Sequence, residues 1–193
     1  MKLIKKRIFN DKFILINDED PGISQSLKKN IYFKKWHREP EFMDILNNNI
    51  FPNETVCDLG ANIGYATLLM NKKVGNTGKV IAIEPSKENF KLLEETIKLN
   101  KLHKKTILIN KAISNYNGET DFFITKESNL NSLSENKHSV YKTSIPCITL
   151  DKLMENFGNF SFVKMDIEGG ELEALEGAKN IIDDTSIKLK ILM

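Results

Sequence analysis

Between residues 55 and 109 the chain alternates short apolar runs with stretches of helical spacing, and that alternation leaves few folds open. Val56–Leu59, Lys79–Ile83 and Thr106–Ile109 read as strands. Ile63–Lys73 and Lys87–Leu99 read as helices, the second with Phe90, Leu92, Leu93 and Ile97 on one side. A helix between two strands returns the chain to the same end of a sheet, so the strands pair in parallel and the helices cover both faces. The predicted class is therefore α/β, a doubly wound and mostly parallel sheet.

The flanking segments extend this plan. Ile4–Phe9 and Lys12–Ile16 are β-type runs around Asn10-Asp11, a hairpin pattern, and Asp20-Pro21-Gly22 marks a turn. Ile23 to about Leu46 has helical spacing interrupted at Pro40, which predicts two helices. Phe51-Pro52-Asn53 closes this part, so residues 1–53 read as a hairpin and helical cap and 54–193 as one main domain. Asn117-Gly118 turns into a strand over Glu119–Thr125, and the polar, aperiodic Lys126–Tyr141 reads as a loop. Ile145–Ile148 is extended, Leu150–Phe157 a helix and Phe160–Met165 a buried strand; D-I-E-G-G-E then leads into a helix reaching about Ala178. Ile187, Leu189, Ile191 and Met193 alternate with Lys188, Lys190 and Leu192, the period of a last strand with one apolar face.

Composition removes some functions. The 193 residues are 40% hydrophobic, enough for the core of one domain. The 28 basic and 26 acidic side chains are interspersed and leave a net charge of +2, which makes no electrostatic case for a nucleic-acid or anionic-membrane partner. Lys5-Lys6-Arg7 and Lys34-Lys35 read as solvated faces. Cys57 and Cys147 lie inside apolar runs and read as buried free thiols, not a disulfide. The run Phe13–Ile16 is too short for a signal peptide and no segment has transmembrane length, so the expectation is a soluble cytoplasmic protein.

Ligands of a doubly wound sheet bind beyond the carboxyl ends of the strands. Three acids fall there, Asp58, Glu84 and Asp166. After Asp58 comes L-G-A-N-I-G-Y, in which Gly60 and Gly64 permit a tight turn and a close backbone approach before a helix N-terminus. The spacing G-x-x-x-G departs from the dinucleotide fingerprint G-x-G-x-x-G. Glu84 follows at roughly the 20-residue interval of a ribose-binding acid. Negative charge at Asp58 is unfavourable beside a pyrophosphate and favourable beside an ammonium or sulfonium, so the pattern favours a cationic nucleoside over NAD.

The blocks D-L-G-A-N-I-G-Y, V-I-A-I-E-P-S-K-E-N-F-K-L-L, I-N-K-A-I-S, P-C-I-T-L-D-K-L and F-V-K-M-D-I-E-G-G-E-L-E-A-L-E-G-A, in this order, resemble the FkbM family of class I methyltransferases. R-E-P-E at Arg38–Glu41 is similar to a segment of some members, and the likeness runs from about residue 22 onward. It implies S-adenosylmethionine (SAM) as cofactor, with Asp58, Gly60, Ala61, Asn62 and Gly64 around its methionine part. It further implies Glu84 on the ribose hydroxyls, Pro85 and Ser86 shaping the adenine side, and Lys111 and Ala112 contacting adenine. Asp166, Glu168 and Glu171 would face the transfer site, and Ser128–Leu133, with Asn131 and Ser132, resembles the family's active-site loop. Members usually continue into two antiparallel strands after the fifth strand. Here the strand over Ile187–Met193 is expected to be an open sheet edge, and to drive self-association unless the N-terminal hairpin folds over it.

Methyl transfer to a hydroxyl needs a base, and Asp166 or Glu168 is the candidate. Glu168 and Glu171 are equally the first-turn acids that a helix dipole favours. The tetrapeptides N-P-P-Y and D-P-P-Y of nucleic-acid N-methyltransferases are absent, which with the family points to oxygen methylation of a sugar, glycan or other small molecule. His138 lies in the polar loop within reach of the site, whereas His103 reads as a solvated helix end and His37, among Tyr32, Phe33 and Trp36, as core. No cluster has metal-ligand spacing. Two alternatives remain at this level, a non-catalytic SAM-fold scaffold and an NAD-dependent oxidoreductase.

Overall fold

The computed structural model describes residues 2–9, 11–29 and 40–193. The expectations placed on Asn10, Lys34-Lys35, the aromatic group around His37 and Arg38-Glu39 lie outside these residues. A hairpin of β1 (Leu3–Ile8) and β2 (Lys12–Asn17) precedes α1 (Ile23–Lys29) and α2 (Pro40–Asn49). Next come β3 (Thr55–Leu59), α3 (Tyr65–Lys73), β4 (Lys79–Ile83), α4 (Lys87–Leu99) and β5 (Thr106–Ile109). After β6 (Ala112–Ile113), β7 (Gly118–Thr125) and β8 (Ser139–Ile148), the chain forms α5 (Leu150–Phe157), β9 (Phe162–Met165), α6 (Glu171–Glu176), α7 (Lys179–Asp183) and β10 (Lys190–Leu192).

Five strands make one parallel sheet in the order β10-β9-β3-β4-β5. The chain winds outward from β3 to β5, then returns to start again at β9 on the other side of β3. That reversal leaves a crevice at the strand ends, the switch point of a doubly wound sheet. Register makes the crevice a row: Leu59 pairs with both Ile83 and Met165, and Ile83 with Ile109. Residues 60, 84, 110 and 166 therefore leave the sheet side by side.

Alternate strand residues face opposite helical layers. Cys57, Leu59, Ile81, Ile83, Val163 and Met165 pack with Leu150, Leu153, Phe160 and Ala174 on one face. On the other, Ala82 packs under Leu68 of α3 and Leu92, Leu93 and Ile97 of α4, while Val56 and Val80 pack with Met70 and with Met43 and Leu46 of α2. The hairpin buries Ile14 and Ile16 in the second of these layers. It docks on α4 through Leu15 N to Thr96 Oγ1 (3.1 Å) and Phe13 N to Asn100 Oδ1 (2.9 Å). It thus lies away from β10, the outer strand at the opposite side of the sheet, and does not cover that edge.

Several boundaries differ from the sequence reading. Helix α3 begins at Tyr65, not Ile63, because Gly64 caps it with φ +98°. The polar stretch 126–141 is not wholly loop: Ser128–Leu130 is a 3-10 turn and β8 begins at Ser139. β8 pairs antiparallel with β7 and parallel with β6, forming a second, three-stranded sheet. The helix expected to run to Ala178 breaks at Gly177, where a Cβ would lie 2.4 Å from Ser114 O. Asp151 of α5 accepts the N–H groups of Asn180 and Ile181 and so starts α7 afresh. β10 is only Lys190–Leu192, and its two faces are both occupied: Ile191 packs on one core layer and Leu192 on another. No helix among the described residues is long and apolar enough to cross a membrane.

Candidate active site

The row of strand ends lines a cleft whose empty space, counted out to its mouth, is about 940 Å³. Its floor is the turn after β3. Gly60 has φ +73°, and a Cβ there would fall 2.0 Å from the carbonyl oxygen of Asp166, so only glycine lets the β3 and β9 ends meet. Gly60 N and Ala61 N both donate to Ile83 O, at 3.0 and 2.9 Å. Asn62, with φ +51°, turns its N–H to Glu84 Oε2 at 2.8 Å.

Glu84 stands in the cleft wall yet is only 4% exposed. Burial pushes its carboxyl from 4.5 up to about 7, against the opposing pull of the Ser86 and Asn62 N–H groups, the Asn89 amide and the charge of Lys164. Ser86 N reaches Oε1 at 3.0 Å. Behind it, Asn110 Nδ2 clamps the backbone after β4 by donating to Glu84 O (2.8 Å) and Pro85 O (3.1 Å). Because the folded chain holds the Glu84 proton more tightly than the unfolded chain, the resulting stability is full below about pH 4.5. It falls away as pH rises through about 7, by about 3 kcal/mol in all.

Asp58 is placed otherwise than its sequence position suggested. It is fully buried and does not line the cleft. Oδ2 accepts the Thr67 hydroxyl at 2.6 Å, while Oδ1 has no hydrogen bond and faces Lys164 Nζ at 3.2 Å. Lys164, 4% exposed on β9, also donates to Gly60 O (2.9 Å) and Leu59 O (3.3 Å) and lies 3.9 Å from Asp166 Oδ2. The charge of Asp58 is thus spent on a buried lysine that the sequence reading passed over. That charge is not available to select a sulfonium over a pyrophosphate; what remains against a dinucleotide is the missing third glycine.

The other sequence candidates divide in two. Gly60, Ala61, Asn62, Glu84, Pro85 and Lys111 line the cleft, as do Ala112, Asn131, Asp166 and Glu168. Asp166 and Glu168 are exposed beyond the end of β9, Glu168 with φ +56°. Glu171 stands back: its Oε1 accepts the N–H groups of Ile167 and Gly169 and fixes the turn that carries the other two acids. Ser132 also works from behind, donating to Glu168 O at 2.7 Å, and Gly64 packs against Leu93. Ser86 caps α4, with Oγ accepting from Asn89 N, and faces a neighbouring cavity. His138 is exposed in the β7–β8 connection and does not line the cleft. Residues that sequence reasoning missed are Lys164 and Asn110; the one signal was a charged residue inside the apolar run F-V-K-M, whereas Ser128 and Asn129, which line the cleft, lie in the stretch likened to the active-site loop. Among the described residues no group of three or more His, Cys, Asp or Glu side chains is arranged to hold a metal ion.

The family described as "Methyltransferase FkbM domain" matches residues 58–192, more than half of the chain and all of the strand-end row. No curated protein matches the chain. Among solved structures, methyltransferase FkbM from Methylobacillus flagellatus KT is similar over 79% of this chain and 40% of its own, at 19% identity and a TM-score of 0.53. The SAM-dependent methyltransferase from Agrobacterium tumefaciens aligns over 84% of this chain and 39% of its own, at 13% identity and a TM-score of 0.44. The chain spans about two fifths of the length of each. At 19% identity the likeness to the Methylobacillus structure speaks for the α/β fold alone, and the family match speaks for descent: this chain belongs to the FkbM family of methyltransferases.

Proposed function

We propose that the cleft binds SAM and that the chain transfers its methyl group to a hydroxyl oxygen of a sugar, glycan or other small molecule. The observation that carries this reading is the pairing, across one cleft, of the buried Glu84 carboxylate with the exposed acids Asp166 and Glu168. Two features fit the cofactor. The Gly60 turn, in contact with the Asp166 carbonyl, brings the ends of β3 and β9 together beneath the cleft. A carboxylate offers about four acceptor positions; Ser86 N and the longer Asn89 Nδ2 contact take those of Glu84 Oε1, and Asn62 N leaves one on Oε2 for a ribose hydroxyl. When bound, SAM supplies a methyl group activated by a sulfonium. The protein's part is to hold the acceptor in line and to take its proton, for which Asp166 or Glu168 stands at the mouth.

Calorimetry with SAM, its demethylated product S-adenosylhomocysteine (SAH) and NAD tests the cofactor; SAM and SAH are expected to bind and NAD is not. A methyl-transfer screen over hydroxylated sugars and lipids then tests the acceptor. Glu84→Ala is expected to weaken SAH binding by about 1–3 kcal/mol through loss of the buried acceptor. In the unaltered chain, hydroxyl donors favour the ionised carboxylate, so affinity should rise as pH passes upward through about 7. A folded Glu84→Ala protein with unchanged affinity and a flat pH profile would refute the ribose assignment.

A further inference from the structure

A carboxylate in the N-terminal part reaches the cleft without lining it. Asp20 is 7% exposed, in the turn Asp20-Pro21-Gly22 between β2 and α1. Its Oδ2 accepts Ser24 N at 3.0 Å, and its Oδ1 accepts Gly22 N at 3.1 Å. The same Oδ1 also accepts Ser128 N at 3.2 Å, across 108 residues of chain. Ser128 and Asn129 belong to the 3-10 turn that walls the cleft. Burial alone would raise the Asp20 carboxyl, and the bonds from Ser24, Ser128 and Gly22 outweigh it and bring it below its ordinary value.

A second contact joins the same two turns. A Cβ on Gly22 would lie 2.1 Å from Asn129 Oδ1, so the turns interlock through the bare Cα of Gly22. The seam is polar: Ser128 Oγ and Asn129 Oδ1 are buried and have no hydrogen-bond partner among the described residues. The Ser128 backbone joins the turn to its surroundings on two sides. Its N–H goes to Asp20, and its carbonyl accepts Asn89 Nδ2 at 3.1 Å, whose other contact is Glu84 Oε1 at 3.5 Å.

We propose that Asp20 is a positioning residue of the cleft, whose Oδ1 pins the Ser128–Leu130 turn so that the N-terminal segment sets the wall beside Glu84. This rests on the reading of the cleft as a SAM site for one of its two measurements only. The pin is a hydrogen bond to one oxygen, so Asp20→Asn, which retains an Oδ1, keeps it, while Asp20→Ala loses it. Both variants lose the bond to Ser24, and Asp20→Ala also loses those to Gly22 and Ser128, so it should lower thermal stability more.

The experiment is amide hydrogen exchange over residues 126–133, with SAH calorimetry, on the full chain. In Asp20→Ala, exchange at Ser128 and its neighbours should speed up about 10-fold and SAH affinity fall about 3- to 10-fold, the reach of one hydrogen bond. In Asp20→Asn both should stay within about 2-fold of the unaltered chain. Gly22→Ala, which displaces Asn129 at the end of a flexible side chain, should reproduce the Asp20→Ala pattern and serves if that variant does not fold. Equal exchange in all the variants, or loop effects of the same size in Asp20→Asn and Asp20→Ala, would overturn the proposal. If the unaltered chain fails to bind SAH, the cofactor reading falls, and the exchange data still decide the role of Asp20.

Discussion

Lys164→Met is expected to cost about 3–5 kcal/mol of folding stability, read as a lower denaturant midpoint at unchanged slope. The loss comes less from the lysine's own bonds than from what it abandons. Asp58 is fully buried, and its Oδ1 has no hydrogen bond to fall back on once Nζ, 3.2 Å away, is gone. An uncompensated buried carboxylate must stay charged at great cost or take up a proton. Against the roughly 5–15 kcal/mol typical of a domain, the single variant sits close to unfolding. The double variant Lys164→Met/Asp58→Asn removes both charges and should regain more than half of the loss, since the amide oxygen of the new side chain can still accept the Thr67 hydroxyl. A single variant within about 1 kcal/mol of the unaltered chain would show that water reaches this pair.

Asp166→Asn and Glu168→Gln should separate chemistry from binding. The residue that takes the acceptor's proton is expected to lose about 10²–10⁴-fold in kcat when neutralised, with SAH affinity nearly unchanged. Both side chains are exposed at the cleft mouth, but they are held differently. Asp166 points near Lys164 Nζ at 3.9 Å, while the Glu168 backbone is held in a left-handed conformation by Ser132 Oγ and by the turn that Glu171 secures. On that geometry Asp166 is the better oriented of the two and is expected to show the larger loss. Full turnover in both variants would mean that the acids only shape the turn.

The parallel sheet was legible because its strands are buried on both faces and its helices carry their own punctuation. Lys79–Ile83, Thr106–Ile109 and Lys87–Leu99 fall where apolar runs and amphipathic spacing place them. The strand over Ser139–Ser144 was not legible, because it is largely exposed and made by ladder bonds to β7, with no apolar alternation to announce it. The break at Gly177 depends on Ser114 and Asp151, residues distant in sequence. Strand-end chemistry alone pointed to Gly60 and Glu84, which line the cleft. The burial of Asp58 was not legible, since nothing near it in sequence reveals that its partner is Lys164. Local patterns report burial; they do not report which buried charges meet.

The junction of Gly60 with Asp166 also has a timetable. β3, α3, β4, α4 and β5 are contiguous, and each closes against its predecessor over a short span of chain. The bond from Lys164 Nζ to Gly60 O spans 104 residues, a closure whose length-dependent entropy alone is about 4 kcal/mol. During synthesis the flank of β3 that will receive β9 therefore waits as an unpaired strand edge while the second sheet and α5 are still emerging. Apolar residues such as Cys57 and Leu59 stand on that strand, a liability of the kind chaperones cover. The cleft closes only once β9 has paired with β3, and its ligand can act only on a molecule that has already survived that interval.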